Sequence, residues 1–169
     1  SLNDTDKRSY TYNFKDFDLI ETTKPLLDEY SPRFAHKNIT FTAHIPQDIQ
    51  APVYSDPGKI KFAIDILINN ALQYTPEGGK VAIAIGNNGR NVLWTITDSG
   101  IGIARESQEF IFTKFYRGEN AQKASTEGTG IGLYLAHEIL RRGGGDLSFH
   151  SDGENRGTTF TLSLPLKTA

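Results

Sequence analysis

The chain has 169 residues, enough for one domain with a full core and tight for two. Its net charge of −2 gives no general electrostatic footprint for nucleic acid, and no apolar run approaches the roughly 18 residues that span a bilayer. With no cysteine, disulfides, thiolate nucleophiles and thiolate metal sites are excluded together.

Residues 1–9 are polar and read as a frayed terminus or the end of a linker, with one domain over 10–169. Aromatic and polar residues alternate from Tyr10 to Phe17, which predicts a strand. A helix is predicted from about Asp18, its capping acid, to about His36. Alternation of Ile39, Phe41, Ala43 and Ile45 predicts a second strand, and Val53-Tyr54 a short third. Asp56-Pro57 is a helix start: a capping acid, then proline in the first turn. From there Ile60, Ala63, Ile64, Leu67, Ile68 and Ala71 keep helical spacing, and Pro76-Glu77-Gly78-Gly79 stops the helix.

Val81, Ile83 and Ile85 alternate on a strand that turns at Asn87-Asn88-Gly89 into another, Asn91 to Thr97. Residues 104–127 show weak periodicity, and a connection that long in a compact domain is usually functional or disordered. Helical spacing returns from Ile131 to Arg141 and stops at Gly143-Gly144-Gly145. Two strands, Asp146 to Ser151 and Thr158 to Leu164, close the chain. The pattern predicts an α/β (α+β) two-layer sandwich. Its mixed, largely antiparallel sheet is covered on one face by about three helices.

Three segments carry chemistry. Asp98-Ser-Gly-Ile-Gly follows an apolar strand, so a carboxylate emerges at a strand end beside glycines that permit close approach. Alone, it reads equally as a turn closed by its own Asp. Gly128-Thr-Gly-Ile-Gly132 precedes the third helix, where backbone amides suit an anion, or simply ease the chain into the helix. Asn70 interrupts an apolar helix face, with Gln73 and Tyr74 one turn on; its amide either meets a backbone group or faces a metal held by phosphates.

In order the chain carries Asn70-Ala-Leu-Gln73-Tyr74-Thr-Pro76, Asp98-Ser-Gly100-Ile-Gly102-Ile103, Phe112-Thr-Lys114-Phe115-Tyr116-Arg117-Gly118, Gly128-Thr129-Gly130-Ile131-Gly132-Leu133 and Gly157-Thr158-Thr159-Phe160. This series resembles the asparagine, first glycine, phenylalanine, second glycine and threonine-containing boxes of sensor histidine kinases, over residues 10–166. The resemblance implies the Bergerat ATP-binding fold, shared with gyrase-type and mismatch-repair ATPases. It implies ATP and Mg2+ as cofactors. Asp98 and Gly102 would then meet adenine beside Gly100 and Ile103, and Tyr74 the base or ribose. Asn70 would hold magnesium, the amides about Gly128 to Leu133 would cradle phosphates, and Thr158 or Thr159 would support Asp98. Residues 104–127 become an ATP lid docked through Phe112, Phe115 and Tyr116, with Lys114 and Arg117 as phosphate contacts.

Family members often read Asn-x-x-x-Asn-Ala-x-Lys-Tyr in the first box. Here Ile66 and Gln73 stand at the first asparagine and the lysine, so a metal ligand and a cation are missing. Asp65 and Asn69 flank that face, about 100° around the helix from positions 66 and 70 respectively. His137-Glu138 sits inside the third helix and reads as structural, so the phosphoacceptor histidine is expected on a separate dimerisation domain. The implied activity is transfer of the γ-phosphate to that histidine for relay to a response regulator receiver domain. The chain is then the cytoplasmic part of a membrane-bound sensor, monomeric when isolated. A nucleotide-binding pseudokinase or regulatory module is the alternative.

Overall fold

The computed structural model describes residues 11–124 and 130–168. A five-stranded sheet forms the platform, in the order β2 (Thr40–His44), β4 (Lys80–Asn87), β5 (Asn91–Asp98), β7 (Thr158–Pro165) and β6 (Asp146–His150). Only the β2–β4 pairing is parallel; the other three are antiparallel. Three helices pack on one face: α1 (Leu19–His36), α2 (Pro57–Tyr74) and α4 (Gly132–Arg142). Both hairpins join neighbouring strands, as the short turns at Asn87-Asn88-Gly89 and Asp152-Gly153 require.

Period-two patterning sorts the sheet faces. Val81, Ile83 and Ile85 of β4, Val92, Trp94 and Ile96 of β5, and Phe160, Leu162 and Leu164 of β7 point into the core. Trp94 is completely buried, and its indole N–H donates to Thr23 Oγ1 at 3.2 Å, so the largest core side chain leaves no orphan donor.

The helix starts follow their capping residues. Asp18 Oδ1 accepts from Ile20 N at 2.8 Å to open α1, and Asp56 Oδ1 accepts from Lys59 N at 3.0 Å to open α2, with Pro57 at its first position. Helix α4 begins after Ile131, and among the described residues no side chain caps its first amides.

Two features differ from the sequence reading. The strand predicted over Tyr10 to Phe17 is shorter: β1 spans Lys15–Asp18 and pairs with β3 (Pro52–Ser55) in a separate two-stranded sheet. Before it, Asn13 N donates to Asp56 Oδ2 at 2.9 Å, while the rings of Tyr12 and Phe14 pack edge-to-face against each other and Phe14 against Tyr54. The aromatic alternation there serves a strap on the surface, not a ladder. Residues 104–124 also hold more structure than their weak periodicity suggests: a 3-10 turn at Arg105–Phe110 and a helix α3 at Glu119–Ala124. Each is six residues long, two turns at most, too short for a periodic signal.

Candidate functional site

A cleft of about 360 Å³ opens between α2, the segment after β5, residues 103–121 and the start of α4. Helix α2 presents one continuous stripe to it, Phe62, Ile66, Asn69, Asn70 and Gln73, with Tyr74 at the end. The spacing of four, three, one and three residues is one helix face.

The last turn of α2 is tied to its surroundings carbonyl by carbonyl. Thr75 N donates to Ala71 O, Lys37 Nζ caps Leu72 O at 2.7 Å and Gln73 O at 3.2 Å, and Ile101 N donates to Tyr74 O at 3.1 Å. All four terminal acceptors are therefore satisfied. Burial lowers the pKa of Lys37, which is the cost of placing an ammonium over a helix end. The Tyr74–Ile101 bond lays the glycine segment against the helix, and the approach demands glycine: a Cβ on Gly100 would lie 2.4 Å from Tyr74 O. Gly102 has φ +66°, and a Cβ there would fall 2.0 Å from Gly153 O.

Asp98, at the end of β5, is only 9% exposed. Burial pushes its carboxyl up to about 6, against the backbone amides of Gly100, which donates at 2.8 Å, and Thr158, which hold it down. A carboxylate so placed keeps acceptor capacity facing the cleft, in surroundings where a hydrogen bond counts for more than in water. Thr158 lines the cleft, whereas the hydroxyl of Thr159 pairs with Thr97 Oγ1 at 3.0 Å on the outer sheet face. The structure thus separates the two threonines.

At the other end, Gly130, Ile131, Gly132 and Leu133 line the cleft where α4 starts. Ile66 packs against this end: a Cβ on Gly132 would meet Ile66 Cγ2 at 3.3 Å. From the Tyr74 end of α2 to Ile66 is about 12 Å at a rise of roughly 1.5 Å per residue. The cleft therefore runs from a buried acceptor to an uncapped helix start.

Of the residues singled out from sequence, Asn70, Gln73, Tyr74, Asp98, Gly102, Ile103, Tyr116, Arg117 and Thr158 line this cleft together with Gly130 to Leu133. Gly100 does not, and acts through Asp98 and Tyr74. Lys114 and Phe115 also lie off the lining. Phe115 is 66% exposed with φ +66°, and Lys114 Nζ sits 5.6 Å from the ring centroids of both Phe115 and Tyr134. Gly128 and Thr129 fall outside the described residues. Phe112 anchors the segment, stacked at 4.3 Å on His137 and edge-on to Phe149, which gives His137 a packing role.

Sequence reading missed Ser107, Asn120 and Ser151. Tyr116 OH donates to Ser107 Oγ at 2.9 Å, and Asn120 Nδ2 reaches the carbonyls of Ile101 and Gly102 at 3.2 Å each. Ser151 Oγ accepts from Ile103 N at 3.0 Å and donates to Gly157 O at 2.8 Å, pinning the end of the glycine segment to the β6–β7 turn. These polar residues sit on loops or six-residue elements, where no period marks them.

Among the described lining residues, Asp98 and Arg117 alone carry formal charge. No group of three or more His, Asp or Glu among the described residues could hold a metal by itself. The neutral oxygens of Asn69, Asn70 and Gln73 instead fit a hard cation that arrives with its own phosphates and keeps several waters.

Residues 55–168 match the family described as histidine kinase-, DNA gyrase B-, and HSP90-like ATPase. The chain is similar to the sensor histidine kinase WalK of Bacillus subtilis, 34% identical over 168 residues, which is 98% of this chain and 27% of that protein. It is similar also to the adaptive-response sensory kinase SasA of Rippkaea orientalis, 37% identical over 154 residues, 90% of this chain and 38% of that protein. Among solved structures, the catalytic domain of the histidine kinase ThkA matches with a TM-score of 0.77 at 26% identity, covering 91% of this chain and 96% of that one. The chain spans well under half the length of the two curated relatives.

Proposed function

This chain belongs to the histidine kinase-, DNA gyrase B-, and HSP90-like ATPase family, and from that membership we propose that it binds ATP with magnesium and transfers the γ-phosphate to a histidine on a separate dimerisation domain of its parent. The observation that carries the reading is Asp98, a buried carboxylate at a strand end with acceptor capacity facing an open cleft. An adenine amino group suits that acceptor, with Gly102 beside the ring and Tyr74 against the base or ribose. The phosphates then extend along α2 to the amides of Gly130 to Leu133, where an uncapped helix start favours negative charge. Asn70 faces the magnesium, and Arg117 supplies the cation on the lid side.

Relay to a response regulator receiver domain and a place in the cytosolic part of a membrane-bound sensor extend the same reading. So does a monomeric isolated domain, since dimerisation is assigned to the separate helices. Among the described residues no helix is long and apolar enough to cross a membrane.

Labelled ATP, this domain and the parent's dimerisation domain together test the proposal. Acid-labile phosphate on the dimerisation domain is the expected result, and its absence at saturating ATP rejects the transfer step.

A second reading has its own observation: Ile66 fills the space against Gly132 with carbon, and Gln73 brings no charge. A nucleotide-binding module with weak transfer fits that phosphate end. Phosphoryl transfer depends on positioning and charge stabilisation, and loss of one such group typically costs about 100- to 1,000-fold. Transfer raised by Ile66→Asn with Gln73→Lys favours the module; transfer already brisk in the natural sequence favours the kinase.

A further inference from the structure

Positions 65 and 69 flank Ile66 on α2, and the structure separates them. Asp65 is turned toward α1: Tyr30 OH donates to its Oδ1 at 2.5 Å and reaches its backbone oxygen at 3.3 Å. Asn69 lines the cleft beside Ile66 and Asn70. At about 100° per residue, Asn69 stands roughly 60° to one side of Ile66 and Asn70 roughly 40° to the other. The two amides therefore straddle the isoleucine. Neither side chain is engaged by a hydrogen bond to another described residue. The contact of Ile66 with Gly132 puts the start of α4 opposite this pair.

We propose that Asn69 supplies, through Oδ1, the side-chain oxygen toward the nucleotide-borne magnesium that Ile66 does not provide; this rests on the nucleotide-binding reading above. A neutral amide oxygen is a proper ligand, direct or through water, for a cation already neutralised by phosphates. Asn69 and Asn70 lie on adjacent residues, so together they cover the metal from two sides of the Ile66 ridge.

The test is a calorimetric titration of the whole 169-residue chain with ATP, in magnesium and in excess chelator, using adenosine to report the base end alone. Asn69→Ala should lose on the order of tenfold of the magnesium-dependent tightening, the size expected when a group supporting a metal site is removed. Asn69→Asp keeps the oxygen and should retain or increase that tightening. Ile66→Asn in the Asn69→Ala background should restore it. Adenosine affinity that matches the natural sequence in each variant shows that the fold and base end are intact.

Asn69→Ala with its full magnesium increment overturns the inference. So does Asn69→Asp with ATP affinity lost equally with and without magnesium, because that marks the amide as an N–H donor to phosphate. A natural sequence that binds ATP without regard to magnesium also overturns it, while leaving nucleotide binding in place. No binding of adenosine or ATP by the natural sequence instead rejects the underlying reading.

Discussion

Asp98 is held by opposing influences. Burial raises its carboxyl to about 6, and the amides of Gly100 and Thr158 oppose the rise without cancelling it. The ionised side chain is therefore strained by desolvation until a donor enters the cleft. Replacing it with asparagine should separate stability from binding. An amide has one acceptor oxygen, which Gly100 N already occupies in this geometry, and its NH2 would oppose an adenine amino group. Asp98→Asn is expected to weaken ATP by at least about 100-fold, the scale of a lost charge-assisted hydrogen bond of roughly 3 kcal/mol. In the same protein the midpoint of thermal unfolding at pH 7 should rise or hold, because a desolvated charge has gone. Calorimetric titration and a thermal melt check the two halves. A variant that melts well below the natural sequence would show that Asp98 is a structural keystone.

Helix α2 is where local signals and distant contacts divide the work. Its start was legible in Asp56-Pro57, because a cap acts within three residues of its own chain. Its apolar stripe was legible too, since Ile60, Ile64, Leu67, Ile68 and Ala71 keep the helical period. Its stop was legible in Pro76-Glu77-Gly78-Gly79, but not its cap: Lys37 caps Leu72 and Gln73 from 35 and 36 residues away, and a lone lysine after a helix carries no sign of its target. The cleft shows the same split. Asn70, Asp98 and the glycines were readable from their order along the chain, whereas Asn120 and Ser151 act through side chains on a six-residue helix and an unpatterned loop.

The two ends of α2 make different predictions. Asp56→Ala removes the cap and the acceptor for Asn13 N, and should cost about 2 kcal/mol, or roughly 4–8 °C in the melting midpoint. ATP affinity should change little, since that end lies away from the cleft. Lys37→Met leaves Leu72 O and Gln73 O without their donor, a cost of about 1–3 kcal/mol. Here ATP affinity should fall by several-fold as well, because Gln73 and Tyr74 project from the loosened turn. Lys37→Arg, keeping a cation and donors, should recover part of both. Equal ATP affinities in the Asp56 and Lys37 variants would remove the link between the cap and the cleft.

For the whole domain, stability, protonation and binding are linked through the same carboxyl. Asp98 titrates at about 6 when folded, against an ordinary value of 3.8. Between those values the folded chain holds more protons than the unfolded one. The group's favourable contribution is therefore complete below 3.8 and is lost as pH rises through 6. By pH 7 the loss amounts to at most about 3 kcal/mol, since each tenfold change in proton affinity is worth roughly 1.4 kcal/mol. A bound nucleotide stabilises the ionised form and lowers the carboxyl again, so at pH 6 binding must release part of a proton. Titrations with adenosine, which has no phosphate to titrate in this range, in buffers of different ionisation enthalpy should show that release near pH 6, less of it at pH 8, and none at either pH in Asp98→Asn. The thermal shift produced by saturating nucleotide should correspondingly be larger at pH 7.5 than at pH 5.5. At 100 times the dissociation constant, ligand stabilises a fold by about 2.7 kcal/mol, a readable shift of roughly 5–10 °C. A shift that is the same at both pH values, with no proton released, would mean that the nucleotide does not meet Asp98.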